Sequence, residues 1–226
     1  MSRNTSATPK SSAETTDEPT GETTKSRIVA AALECLGDEG IVGVSARAIA
    51  RRGGFNQALI FYHFGSVDGL LVAAAVTESR QRSARYADRL GDVTTLQELV
   101  AVARHLHDEE FDAGNTAMLV QLMAGAAGSE ELRKGVADGL TPWMDLVDAA
   151  VTRVTAGTAI PDLVPISDMS FVIASMFIGM DLIMGLDPEN DRMTSLFTTM
   201  ERLGVLVDAL MKMLPAGVTL PGVESS

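Results

Sequence analysis

Gln57 is the residue of this sequence best equipped to read a nucleobase. Its amide sets a donor beside an acceptor and can pair bidentately with the major-groove edge of adenine. Ser45, a hydroxyl suited to capping a helix start, lies upstream of it, as do Arg47, Arg51 and Arg52, in a window (residues 40–67) that holds no acidic side chain. Such a patch can neutralise phosphates. Other reactive side chains promise less. His105 and His107 are two apart on a helical stretch, so they point to different faces, cannot chelate one metal, and are expected at the surface. The run Asp108-Glu109-Glu110-Asp112 reads as a solvated helix end. Cys35, the single cysteine, cannot form an internal disulfide and falls on an apolar stripe as a small core residue. The chain has no glycine-rich phosphate loop, no cysteine or histidine metal spacing and no nucleophile-elbow pattern, so no enzymatic role, metal or cofactor is expected.

The elements that must position Gln57 are helices. Ile28, Ala31, Ala32, Cys35 and Leu36 form one stripe of a helix over about 24–37, ended by Gly37 and Gly40. Ser45 opens a short helix to Arg52 with Ala46, Ile49 and Ala50 inward. Gly53 and Gly54 permit a tight turn, and Asn56 caps a third short helix to about His63, with Ile60, Phe64 and Phe55 inward. Two short helices joined by a glycine turn on a small apolar core make a helix-turn-helix, whose second helix enters the major groove N-terminus first. Ser66 caps a fourth helix to about Leu90, and further helices fit 94–112, 115–127, 130–155, 165–186 and 191–214. The fold class is all-α, about nine helices, with a three-helix helix-turn-helix head (24–66) and a larger helical body (67–214). The Ser- and Thr-rich tail (1–23) and the last residues (215–226) are expected to be loose.

The net charge of −12 conceals an uneven distribution. Residues 25–89 hold nine basic and six acidic side chains, whereas residues 90–226 hold seven and twenty. Screening confines each charge's reach to roughly 10 Å at ordinary salt, so a basic face on an acidic protein can still grip DNA. The run Met169–Met180 is too short to span a membrane and is followed by Asp181. With no secretory signal in the opening residues, a cytoplasmic protein is expected.

The run Arg27-Ile28-Val29-Ala30-Ala31-Ala32-Leu33, then Gly40, Ser45-Ala46-Arg47-Ala48-Ile49-Ala50, Gly54-Phe55-Asn56-Gln57-Ala58-Leu59-Ile60-Phe61-Tyr62-His63-Phe64-Gly65-Ser66 and Leu70-Leu71 resembles the N-terminal domain of the TetR family of transcription regulators over about 50 residues. The resemblance implies a double-stranded, palindromic DNA operator. It places Ser45 where a helix-capping hydroxyl can touch a phosphate, Arg47 at a position that often contacts DNA, Gln57, Ala58 and Leu59 on the base-facing surface, and Tyr62 and His63 near the backbone. Phe61 stands where the family usually has a phosphate-binding tyrosine, and Val67 where a lysine is common. Lys25 or Arg27 can compensate in part, and fewer phosphate contacts than usual are expected.

The resemblance also implies a homodimer formed by the last two helices, for which Phe171, Ala174, Ser175, Gly179, Ile183, Leu203, Leu206 and Leu210 are the candidate interface residues. An effector of unknown identity, small and apolar or amphipathic, is expected among the middle helices. Flexible methionines and large aromatics suit such a wall, and the candidates are Phe111, Met118, Met123, Trp143, Met144, Met176 and Met180. The resulting function is a repressor released from its operator by that ligand. The alternative, motivated by Phe61 and Val67, is a helical dimer with weakened or lost DNA binding that acts through protein partners.

Overall fold

The computed structural model describes residues 21–186 and 192–213, so most of the expected loose tail (1–23) and all of the loose C-terminus (215–226) lie outside the described residues, whereas 21–23 already belong to the first helix. These residues form ten α-helices and, among themselves, no strand. The expectation of about nine helices holds, with a single turn, Ile160–Leu163, added between the longer ones.

The head is built from α1 (Gly21–Gly43), α2 (Ala46–Gly53) and α3 (Ala58–Phe64). The α1 stripe of Ile28, Ala31, Ala32, Cys35 and Leu36 is almost completely buried, and Cys35, enclosed by it, has its thiol pKa raised by that burial. Helical geometry breaks at Gly40, whose φ of 66° is open to glycine at little cost. The freed N–H of Ile41 donates to Oε1 of Gln121 at 3.0 Å. Ser45 caps α2, its hydroxyl accepting from Ala48 N at 3.2 Å. Gly54, at φ 65° and ψ 37°, ends it in the left-handed conformation.

The connector α4 (Val67–Gly91) starts at Ser66, whose hydroxyl accepts from Gly69 N at 2.7 Å and donates to Glu131 at 2.7 Å. The body adds α5 (Leu96–Asp112), α6 (Asn115–Ala126), α7 (Glu130–Val154), α8 (Ile160–Leu163), α9 (Ile166–Met184) and α10 (Arg192–Met211). Helix α5 opens on a capping box in which Thr95 and Glu98 satisfy each other's backbone N–H. The N–H and hydroxyl of Thr94, joined by the Thr95 N–H, hold the Glu98 carboxyl below the usual range. The same helix start is gripped from across the body, because Asp208 of α10 accepts from Leu96 N at 2.7 Å and Gln97 N at 3.0 Å. A carboxylate at a helix N-terminus is favoured by the helix dipole, so α10 is anchored electrostatically as well as by packing.

The first apolar core joins Ile28, Leu36, Ile49 and Ile60 of the head to Leu70 and Leu71 of α4, Leu122 and Ala126 of α6, and Leu132 and Val136 of α7. It therefore runs straight across the expected boundary at 66/67. A second core lies among α4, α5, α7 and α10, around Tyr86, Leu90, Leu106 and Ala150. A third, Val100, Met193 and Phe197, lies between α5 and α10.

Candidate nucleic-acid interface and the body behind it

The reading helix is held by its core residue and presents the rest. Ile60 is fully buried, while Gln57, Ala58, Phe61 and Tyr62 are exposed and Leu59 and His63 are half-buried. Asn56 Oδ1 accepts from Ala58 N at 2.9 Å, so Asn56 satisfies the helix start and Gln57 makes no side-chain cap. The Gln57 amide is thus left available to a base edge. Arg47, Ala50 and Arg51 along one face of α2 and Gly54, Phe55, Asn56 and Gln57 of the turn enclose an open concavity of about 650 Å³. Arg47 and Arg51 are one helical turn apart, and both are exposed at its rim.

Gly53 makes the turn possible. A Cβ there would meet the Phe55 ring at 2.2 Å and the Ala31 side chain at 2.9 Å. Phe61 is half exposed with no hydroxyl to offer, and Val67 packs against the first core instead of facing outward. Lys25 is exposed on α1. Arg27 points back into the head, where its guanidinium donates to the Gly53 carbonyl at 3.4 Å.

The acid-free window of the sequence is not acid-free in space. Asp38 and Glu39, just before it on α1, close onto α2. Arg52 pairs with Asp38 and, at 3.6 Å, with Glu39, and Arg51 pairs with Glu39 at 3.6 Å. Arg47 has no such acidic partner among the described residues. Exposed pairs of this kind contribute only about 0–1 kcal/mol, so DNA can compete for them. Asp38→Asn combined with Glu39→Gln should therefore raise affinity for a random-sequence duplex several-fold. It should also steepen the log–log salt dependence by about 0.9 for each phosphate newly engaged. A salt titration by fluorescence anisotropy checks this, and an unchanged slope would show that the two acids do not restrain the arginines.

Behind the head, the candidate ligand residues do not share one wall. Met118 packs against the first core, Trp143 lies against Tyr86 in the second with ring centroids 5.6 Å apart, and Met180 packs on the third. Met144 is half-buried, and Met123 and Met176 are largely exposed. Phe111 and Met180 approach a common centre, since Phe111 lies against His107 and Met180 beside Phe197, whose ring also lies against His107.

That centre is polar, which corrects two sequence expectations. His107 is buried and not at the surface, whereas His105 is exposed as expected. His107 Nδ1 lies against Oδ1 of the buried Asp181 on α9, and the second Asp181 oxygen accepts from the Thr116 hydroxyl at 2.8 Å. Glu110, placed by sequence at a solvated helix end, is also buried, because α4 supplies Arg82 at 2.8 Å and the Tyr86 hydroxyl at 2.8 Å as partners. Burial and that bond raise the Tyr86 pKa well above the ordinary phenol value. The sequence carried one signal for the centre, Asp181, the only charged residue between Met169 and Leu186.

The candidate dimer residues line the outer side of α9 and α10. Phe171, Ile183, Leu203, Leu206 and Leu210 are each at least half exposed in the single chain, Ser175 is exposed, and Ala174 and Gly179 are half-buried. Helix α9, at 19 residues, is long and apolar enough to cross a membrane, the one such helix among those described. Its inner side, however, carries Ser170 and Asp181 fully enclosed against the body. A helix packed on one side and apolar on the other calls for a protein cover.

Residues 28–74 match the family model described as bacterial regulatory proteins, tetR family. No curated protein matches the chain. Among solved structures, FadR from Bacillus subtilis in complex with stearoyl-CoA is similar at 15% identity and a TM-score of 0.64, over 79% of this chain and 96% of that one. GusR from Salmonella enterica is similar at 19% identity and 0.64, over 84% and 95%. The reduced form of NemR from E. coli is similar at 12% identity and 0.62, over 87% and 100%. The match begins within the buried stripe of α1, spans α2, the glycine turn and α3, and ends on α4, and the helical body behind it shares the fold of these structures; residues 28–74 are a DNA-binding domain of the tetR family of bacterial regulatory proteins.

Proposed function

We propose that the chain acts as a homodimeric repressor that holds a two-fold symmetric operator with two copies of α3 and lets go when a small amphipathic molecule enters the body. The observation that carries the reading is Gln57, exposed at the start of α3 with its capping duty taken by Asn56. Support for the dimer comes from the uncovered apolar faces of α9 and α10. Support for a ligand comes from the similar fold of FadR, which is described in complex with stearoyl-CoA. Two half-sites one turn apart demand a head spacing of about 34–36 Å, so a small pivot of α4 is enough to break the fit. The effector's leverage equals its difference in affinity between the DNA-bound and released forms.

Fluorescence anisotropy against DNA from upstream of the protein's own gene and a scrambled control, at several salt concentrations, tests the reading. Gln57→Ala is expected to cost about 1–3 kcal/mol of discrimination, a five- to hundredfold loss on the preferred site with little change on the scrambled one. If neither this DNA nor a random-site selection yields a preferred sequence, a second reading is favoured, a helical dimer working through protein partners. The half-buried Val67 and the hydroxyl-free Phe61, which stand where two phosphate anchors are usual, are its motive.

A further inference from the structure

We propose that the effector site of this body is built for the head of an organic cation, at the place now filled by the His107 imidazole. The proposal rests on the ligand-gated reading above and names its ligand class. Three phenyl rings surround His107, with centroids at 5.8 Å (Phe111), 5.9 Å (Phe177) and 5.6 Å (Phe197). A buried carboxylate, Asp181, meets its Nδ1, and neither contacting atom has a further partner. The side chains of the pair are 5% and 0% exposed. Aromatic rings around a small polar head, closed on one side by a carboxylate, are the parts of an ammonium-recognition site. His107 occupies it as an internal guest.

Asp181 decides what can replace that guest. An anionic head would set a second negative charge beside a carboxylate away from water, where repulsion is far stronger than in solvent. An uncharged apolar group would leave the Asp181 carboxylate buried with, among the described residues, Thr116 as its remaining partner, which is unfavourable for a charge away from water. A primary ammonium or amidinium brings a positive charge to meet the carboxylate and N–H donors to take the place of the imidazole nitrogen. An apolar tail on that head would find Met180, Met184 and Met200, which pack against Phe197 and the third core and can rearrange around an irregular chain. The polar end is thus opposite in sign to the phosphates of an acyl-CoA. The site also sits where it can act on the head. Thr116 is at the start of α6, and Gln121 on the same helix accepts from Ile41 N at the break of α1.

The test compares octylammonium with octanoate, equal in chain length and opposite in charge, by isothermal titration calorimetry on the intact protein without DNA. Saturable binding of octylammonium at least tenfold tighter than octanoate is expected. Asp181→Asn should lose that preference, with far-UV circular dichroism confirming the helices. His107→Ala should bind octylammonium about tenfold more tightly than the parent, because the box is then empty. A purely structural histidine predicts the opposite, a less stable protein with no gain for the cation. Equal binding of both probes, an unchanged preference in Asp181→Asn, or no gain in His107→Ala overturns the proposal. Operator release is then measured separately. Cation binding that leaves a DNA complex intact overturns ligand gating and supports the cation site, whereas selective DNA binding with no cation binding overturns the cation site alone.

Discussion

On the proposed homodimer, Ile183→Glu combined with Leu206→Glu is expected to give a folded monomer and to lower operator affinity by at least about a hundredfold. Both side chains are more than half exposed in the single chain, so the substitutions remove nothing from the three cores and the helix content should be unchanged. In a two-fold interface each substitution appears twice, on surfaces that face one another. Each buried, unpaired carboxylate costs several kcal/mol, and the area formerly contributed by Ile183 and Leu206 is lost as well, at about 25 cal/mol per Å². A monomer carries one α3 and grips one half-site. Sedimentation equilibrium at micromolar concentration reads the first effect and anisotropy on the selected operator the second. A variant that remains dimeric would place the interface elsewhere.

Gly135→Ala is the second substitution with a large expected effect. Helices α4 and α7 pass so closely that a Cβ at Gly135 would lie 2.2 and 2.4 Å from the two methyls of Val72 and 2.8 Å from its Cβ. The last of these atoms is fixed to the backbone and cannot swing aside. Overpacking of this kind costs about 1–3 kcal/mol, and at the upper end Tm should fall by about 5–10 °C. The contact has a built-in control, since Val72→Ala removes all but the Cβ. The pair Gly135→Ala with Val72→Ala should be more stable than Gly135→Ala alone, although Val72→Ala by itself is destabilising. Thermal unfolding of the four proteins gives the coupling directly. If the losses simply add, the helices have moved apart at little cost and the close approach is not what sets their spacing.

The head was legible in the sequence because its signals are local. Ser45 and the Ala48 N–H it accepts from are three residues apart, Gly54 ends the helix it follows, and Asn56 caps two residues ahead. Those relations survive in any reading that respects helical period. What escaped depends on residues far apart in the chain. Glu110 is buried because Tyr86, 24 positions earlier, reaches it, and Asp181 is held by Thr116, 65 positions away. From the sequence alone Glu110 is one of four acids within five residues, and His107 one of two histidines on a polar stretch, with nothing local to separate the buried member from its exposed neighbours. The restraint on Arg51 and Arg52 escaped for a smaller reason. Asp38 and Glu39 lie just outside the window and fold back across the Gly40 break.

The first core, shared by α1, α2 and α3 with α4, α6 and α7, has a consequence for how such regulators diversify. A head exchanged by recombination at residue 66 would bring a foreign α1 against Leu122, Ala126 and Leu132, and the graft would begin life with mismatched surfaces. Gln57 and Ala58, the positions proposed to face the bases, by contrast lie open to solvent and outside that core. New operator preferences are therefore cheaper to reach by single substitutions on the outer face of α3 than by shuffling whole heads. A designer seeking a new specificity on this scaffold should change that face and leave the inherited body in place.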